Sequence, residues 1–142
     1  LRDAAKSGNV AVLKEFLNRE PGNIDSQSNE GKSALHIAAE NGEIEAAKLL
    51  IEHGANVNIR DAQGRPPLAL AATSGRTRVA EMLLQNKAEV EPQDARGRSL
   101  LSNVVYLALN TGVTVPALPM VRLLLKYGAN PRHEDKERTT VL

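Results

Sequence analysis

Gly31, Gly64 and Gly97 lie 33 residues apart, and around them the chain restates itself. "GKSALHIAAENGEIEAAKLLIEHGANVN" opens at Gly31, "GRPPLALAATSGRTRVAEMLLQNKAEVE" at Gly64 and "GRSLLSNVVYLALN" at Gly97. Leu35, Leu68 and Leu101 are in step, as are Ala38-Ala39 and Ala71-Ala72, Gly42 and Gly75, Leu50 and Leu83, and Asp61 and Asp94. A fixed period of this size constrains the fold more than any other property of the chain. Each unit is one small element that cannot bury its apolar face alone, so neighbours must stack. Composition agrees: of 142 residues only Phe16, Tyr106 and Tyr127 are aromatic. The core must be built from Ala, Leu, Val and Ile, thin and layered, because no large rings are available to fill a thick centre.

The recurring residues have local reasons. The three glycines suit tight turns that require positive φ. Ser33 is placed to cap a short helix whose Leu35 points inward, and Pro67 stands at an early helical position, where a missing N–H costs nothing. The Ala pairs let helices approach closely. Ile44, Ala47, Leu50 and Ile51 form a stripe of helical period on a second, longer helix, and Gly54 and Gly128 fit left-handed helix ends.

This pattern resembles the ankyrin repeat, roughly D-x-x-G-x-T-P-L-H-x-A-A-x-x-G, an amphipathic helix, then G-A-x-x-N. The resemblance implies an all-α ankyrin-repeat solenoid of helix-turn-helix units with β-turn or hairpin fingers. One domain over residues 1–142 is expected, in units of about 1–27, 28–60, 61–93 and 94–132, with a partial unit at 133–142. The first begins inside its first helix, with its extra residue in the Glu20-Pro21-Gly22 loop. The last stops in mid-motif at "RTTVL", so the natural protein is expected to continue. Lys87 stands where the family has Gly, which predicts a positive φ there.

The fourth unit departs from the period. Asp94 to Asp135 is 41 residues, so eight are extra, and they fall within 102–119. Leu101, Val105, Ala108 and Leu109 continue a helical stripe, predicting a first helix prolonged to about Asn110 and ended by Gly112. A loop then runs through Pro116, and Pro119 is expected to open the second helix. Two readings of the insertion stand side by side: a binding element anchored by Tyr106, or an apolar cover packed on a neighbour.

Cysteine is absent, so neither a disulfide framework nor thiolate chemistry is available, which suits a reducing compartment. No signal peptide or membrane-length apolar run is present, and a soluble, cytoplasmic or nuclear setting is expected. His53 and His133 have no partner at ligand spacing, which argues against zinc. The glycines never form a phosphate-binding loop. Ser33 and His36 lack an orienting acid and an oxyanion site. His36 holds the T-P-L-H position, where a hydrogen bond between adjacent repeats is expected. Glu40, Glu43 and Glu45 read as a solvated cluster. No cofactor, metal or catalytic residue is assigned, and no enzymatic activity is expected.

What the resemblance implies is protein binding, as scaffold, adaptor or inhibitor, through finger tips and first-helix surfaces on a concave face. Carried over by position, the variable residues there include Lys32, Glu40, Asn41, Arg60, Arg65, Thr73, Ser74, Arg96 and Arg98, with Tyr106 on the insertion. Residues 60–142 hold 12 Lys+Arg against 8 Asp+Glu, whereas residues 1–59 hold 6 against 9. Arg60, Arg65, Arg96 and Arg98 sit at consecutive tips. They are either ordinary solubilising charge or an electropositive row for an acidic or phosphorylated partner segment. Nucleic acid is disfavoured because stacking aromatics are missing. No membrane insertion is expected, and a monomer is. The rival reading is a substrate-recruiting or autoregulatory arm of a larger enzyme, such as a ubiquitin ligase or kinase. "LLIEHGANVN" also resembles the loop that asparaginyl hydroxylases modify in ankyrin proteins, with Asn58 as the acceptor; the alternative is a hydrogen-bonding loop Asn.

Overall fold

Helices come in pairs along the chain. A computed structural model describes residues 1–94, 96–112 and 117–132. The pairs are α1 (Arg2–Lys6) with α2 (Val10–Arg19), α3 (Ala34–Asn41) with α4 (Ile44–Glu52), α5 (Pro67–Thr73) with α6 (Thr77–Gln85), and α7 (Leu100–Thr111) with α8 (Ala117–Lys126). A single 3₁₀ turn at Pro21–Asn23 takes up the extra residue after α2. First helices pack on first helices (α1 on α3, α3 on α5, α5 on α7) and second on second (α2 on α4, α4 on α6, α6 on α8). The result is a two-layered stack with its core between the layers. No strand is assigned among the described residues, and the fingers between pairs are turns.

The local signals work as read. Ser33 Oγ accepts from His36 N–H, and the His36 side chain accepts from Ser33 N–H, a reciprocal cap at the start of α3. Pro67 is the first residue of α5. Ser99 Oγ accepts from Ser102 N–H at the start of α7. Lys87 has φ +67°, the one positive value outside glycine among the described residues. Pro119 differs from expectation: α8 begins at Ala117, and Pro119 is its third residue. The first turn of a helix has no intrahelical N–H bonds to lose, so proline is tolerated throughout it.

The core is aliphatic and small. Ala5, Leu13, Ala34, Leu35, Ala38, Ala39, Leu50, Leu68, Ala71, Leu83, Leu101, Met120 and Leu124 are buried, whereas Phe16 and Tyr106 are exposed. The stripe on α4 is broader than the sequence reading: Ala46 and Leu49 are buried as well, and Ile44 and Ile51 lie partly buried at its edges. The second helix packs against its own partner and two neighbouring repeats at once, which requires a wide face.

Three kinds of tie cross between repeats. His36 accepts from Ser33 N–H through Nδ1, so its proton is on Nε2, which donates to the Arg65 carbonyl at 2.9 Å. Burial lowers the His36 pKa below its ordinary value of 6.5, which keeps this tautomer neutral. Asp25, Asn58 and Glu91, 33 residues apart, each present a side-chain oxygen to a backbone N–H of the next loop: Asn56, Glu89 and Asn130 respectively. Finally, the Ala62 N–H donates to the Glu30 carbonyl, joining neighbouring fingers. At Gly31 (φ +72°) a Cβ would strike the backbone of Asp61 and Ala62, so close finger stacking requires glycine there.

Candidate protein-interaction groove

The fingers repeat one hydrogen-bonded turn. Ser28, Asp61 and Asp94 donate their N–H to the carbonyls of Lys32, Arg65 and Arg98, four residues on. The side chains at these first positions accept in return: Ser28 Oγ from Lys32 N–H, Asp61 Oδ1 from Gln63 and Arg65 N–H, and Asp94 Oδ1 from Arg96 and Arg98 N–H. One consequence concerns the basic residue that ends each finger. Where the first position is Asp, the basic residue pairs inside its own finger. Arg65 Nε and Nη2 both donate to Asp61 Oδ2, at 2.9 and 2.7 Å, and Arg98 Nε donates to Asp94 Oδ2 at 3.0 Å. Where it is Ser28, that position offers no carboxylate; Lys32 bonds Glu40 on α3 at 2.8 Å and lies a longer 3.8 Å from Glu30 of its own finger.

Glu40 is therefore not a free member of a solvated cluster, as the sequence suggested. Its carboxylate is engaged by Lys32 and its carbonyl accepts from Arg76 Nε. Glu45 is exposed. Glu40, Thr73 and Tyr106 occupy equivalent positions, 33 residues apart on α3, α5 and α7. At the third of them the finger cation meets an aromatic ring instead of a carboxylate: the Arg98 guanidinium lies 5.8 Å from the Tyr106 ring centroid.

Burial of the Asp61 side chain opposes its ionisation, but the Arg65 guanidinium and the backbone N–H donors outweigh that and hold the carboxyl below the usual range. Asp94 behaves alike: burial is overcome by the Arg98 and Arg96 N–H groups and the Arg98 guanidinium. Asp61 is wholly enclosed, with a side-chain exposure of 0% against 39% for Arg65. In this finger the carboxylate faces inward and the guanidinium forms the outer layer; Arg98 and Asp94 differ less, at 29% and 20%.

A groove of about 280 Å³ opens between α5 and α7 beneath these fingers. Its floor is Pro66, Ala69 and Leu100, and Arg65, Thr73, Arg98, Tyr106 and Leu107 rim it. Four expected binding residues, Arg65, Thr73, Arg98 and Tyr106, thus meet at one place. Others lie elsewhere. Arg60 donates to Glu89 at 2.6 Å and to the Gly64 carbonyl, and does not line the groove. It precedes the finger whereas Arg65 closes it, so the two are on opposite arms. Arg96 is exposed on the finger tip. Lys32 and Glu40 pair one repeat earlier, and Asn41 Nδ2 donates to the Ile37 carbonyl on its own helix. Ser74 borders a neighbouring hollow at the far end of α5. Asn58 has both ends of its amide engaged, accepting from Glu89 N–H and donating to the Lys87 carbonyl. Its hydrogen-bonding role is in place.

α7 runs to Thr111 and ends at Gly112 (φ +65°), as the stripe predicted. Tyr106 is 57% exposed. Residues 113–116 of the insertion, and the segment 133–142 with His133 and Asp135, lie outside the described residues. Among the described residues no cluster of metal-binding side chains occurs, and no helix is long and apolar enough to cross a membrane. Sequence reading missed Leu107 on the groove rim. Its signal was available: Leu107 stands where Ser74 and Asn41 stand in the preceding units, an apolar residue at a polar position.

Comparison with known proteins agrees with this architecture. Cortactin-binding protein 2 of Ornithorhynchus anatinus is 40% identical over 55 residues, which are 39% of this chain and 3% of that protein. The chain thus corresponds to a small part of that relative's length. The family described as ankyrin repeats (3 copies) matches residues 1–94, the first three helix pairs. With two-thirds of its length matched and the same paired helices stacked throughout its described residues, the chain belongs to the ankyrin repeat family.

Proposed function

We propose that this chain is a protein-interaction module that takes a segment of a partner in the groove between α5 and α7. Ankyrin repeats are generally interaction modules. The relative matched over 55 residues is named for binding another protein, cortactin, which supports the same broad class here. The observation that carries the reading is the exposed Tyr106–Leu107 pair beside Arg65 and Arg98 over an apolar floor. Aromatic and arginine side chains around an apolar hollow are the usual anchors of protein recognition. The groove is formed by helices that are packed in the stack without a partner, so little ordering cost falls on this side of the interface.

A photo-crosslinking phenylalanine analogue at position 106 tests this, with position 48 on the opposite layer as control. Crosslinks from position 106 to cellular proteins, absent from position 48, are expected. Equal labelling from both positions would place the interaction face elsewhere.

A further inference from the structure

The groove beneath the fingers does not end at Leu107. A second hollow, about 250 Å³, lies between the Ala72–Gly75 end of α5 and the Val104, Ala108 and Thr111 side of α7. Both hollows border Thr73 and Leu107, so they adjoin along α7, and the two together are called the channel. From Leu100 to Thr111 the helix rises about 16 Å. An extended chain advances about 3.3 Å per residue, so about five residues span it.

Charge is distributed unequally along this channel. At the finger end stand Arg65 and Arg98, and Asp94 is the one carboxylate among the lining residues. Asp61 is enclosed behind Arg65. Arg98 donates Nε to Asp94, and its side chain, 29% exposed, places the guanidinium beside the Tyr106 ring. At the other end the lining is uncharged: Ala72, Gly75, Val104, Ala108 and Ala117, with hydroxyls from Thr73, Ser74 and Thr111.

We infer that the channel takes an extended peptide segment of about five residues from another protein, with carboxylates over Arg65 and Arg98 and aliphatic side chains toward Gly75 and Thr111. This rests on the groove being the interaction face. Partly exposed arginines already paired to aspartates add less affinity than the apolar contacts, but they choose which end of the segment lies at the fingers, and a reversed charge there would repel it. Apolar burial along Leu107 and Ala108 supplies most of the attraction.

The test is a random heptapeptide library displayed on phage and panned against the whole chain, followed by titration of the recovered peptides as synthetic probes. The expected peptides carry Asp or Glu at one end and Leu, Ile, Val or Met at the other. Arg98→Glu and Leu107→Asp should each weaken them about tenfold or more, and Lys48→Glu should not. Arg65→Gln and Arg98→Gln, which keep a donor to the finger aspartates, should weaken them in the same direction with unchanged melting. Binders that lack acidic residues, and that respond to Leu107→Asp but not to the arginine variants, overturn this inference and leave the groove reading standing. Binders indifferent to all these changes overturn both. A library that yields no binder overturns the inference that so short a segment suffices.

Discussion

The third and fourth helix pairs are built on one plan and differ in where the first helix stops, the fourth unit carrying eight extra residues. α5 stops after seven residues, and the turn that follows holds Gly75 at φ +69°. The equivalent residue in the fourth pair is Ala108, which has no reason to leave the helix. α7 therefore runs on for twelve residues until the next glycine, Gly112, takes the left-handed conformation. Moving the stop also changes what the helix shows to solvent. Thr73 and Ser74 at the end of α5 become Tyr106 and Leu107 in mid-helix, and Leu109 is 79% exposed. The lesson is that a repeat protein gains a new surface by relocating one helix terminator, while the buried positions stay in register. Leu68 and Leu101 are both buried, as are Leu83 and Leu124, although the second pair of residues is separated by 41 positions.

The largest effect expected from breaking this comparison is on the shared core. Leu83→Ala should cost about 2–5 kcal/mol, because three helices around the site cannot all close the void. Leu109→Ala, on the prolonged part of α7, should stay within about 0.5 kcal/mol. Equal losses in urea unfolding would mean that the extension is packed rather than presented.

Next comes the tie from α3 to the third finger. His36→Ala removes the bond to the Arg65 carbonyl, which keeps only Asp61 N–H, and leaves the buried Ser33 N–H without its acceptor, a loss of about 1–3 kcal/mol near neutral pH. The effect depends on pH with a definite sign. Burial lowers the folded-state pKa of His36 below 6.5, so the unfolded chain binds the proton more readily. The histidine's contribution is complete above pH 6.5 and declines as pH falls through that value toward the lower folded one. The cost of His36→Ala should therefore shrink from pH 7.5 to pH 5. A cost that grows instead would show the imidazole to be charged in the folded chain. Asp61 and Asp94, held below 3.8 by their fingers, contribute above that pH and fail only in stronger acid.

A sharper test of the terminator argument is Ala108→Gly. A glycine in a helix interior costs about 1 kcal/mol relative to alanine. It should also shorten α7 as Gly75 shortens α5, seen as loss of amide-exchange protection from Tyr106 to Thr111. Retained protection would assign the extension to its packing against α5 and not to the missing glycine. Smallest is Lys87→Gly, where relief of about 1 kcal/mol of left-handed strain at φ +67° is set against greater unfolded-state entropy. Unchanged or slightly higher melting is expected.

Much of this was legible in the sequence because it depends on neighbours within one unit. Period, caps, glycine turns and the buried Leu and Ala positions are local patterns that repeat. The prolonged α7 and its end at Gly112 were readable for the same reason. So was the His36 bridge, since its position in the unit recurs throughout the family. Leu107 was visible as an apolar residue at a polar position, but its meaning as a groove rim needed α5 beside it.

What only the tertiary structure decided are the interactions whose partners lie in different units or on different arms of a finger. Asp25, Asn58 and Glu91 share no residue type, so the motif that marks Asn58 does not reveal the other two. They act alike because an N–H on the next loop needs only an oxygen within reach. Arg60 and Arg65 look equivalent in a list of basic residues, yet the finger turn separates them. One pairs with Glu89, and the other with the enclosed Asp61 at the groove. Glu40 reads as solvated charge until the absence of an aspartate at Ser28 leaves Lys32 to find it. Spacing along the chain determines which residues are buried together, because helix and repeat periods are properties of the backbone. Which charge meets which is settled by distances of a few ångströms between side chains, and those exist only once the repeats are stacked.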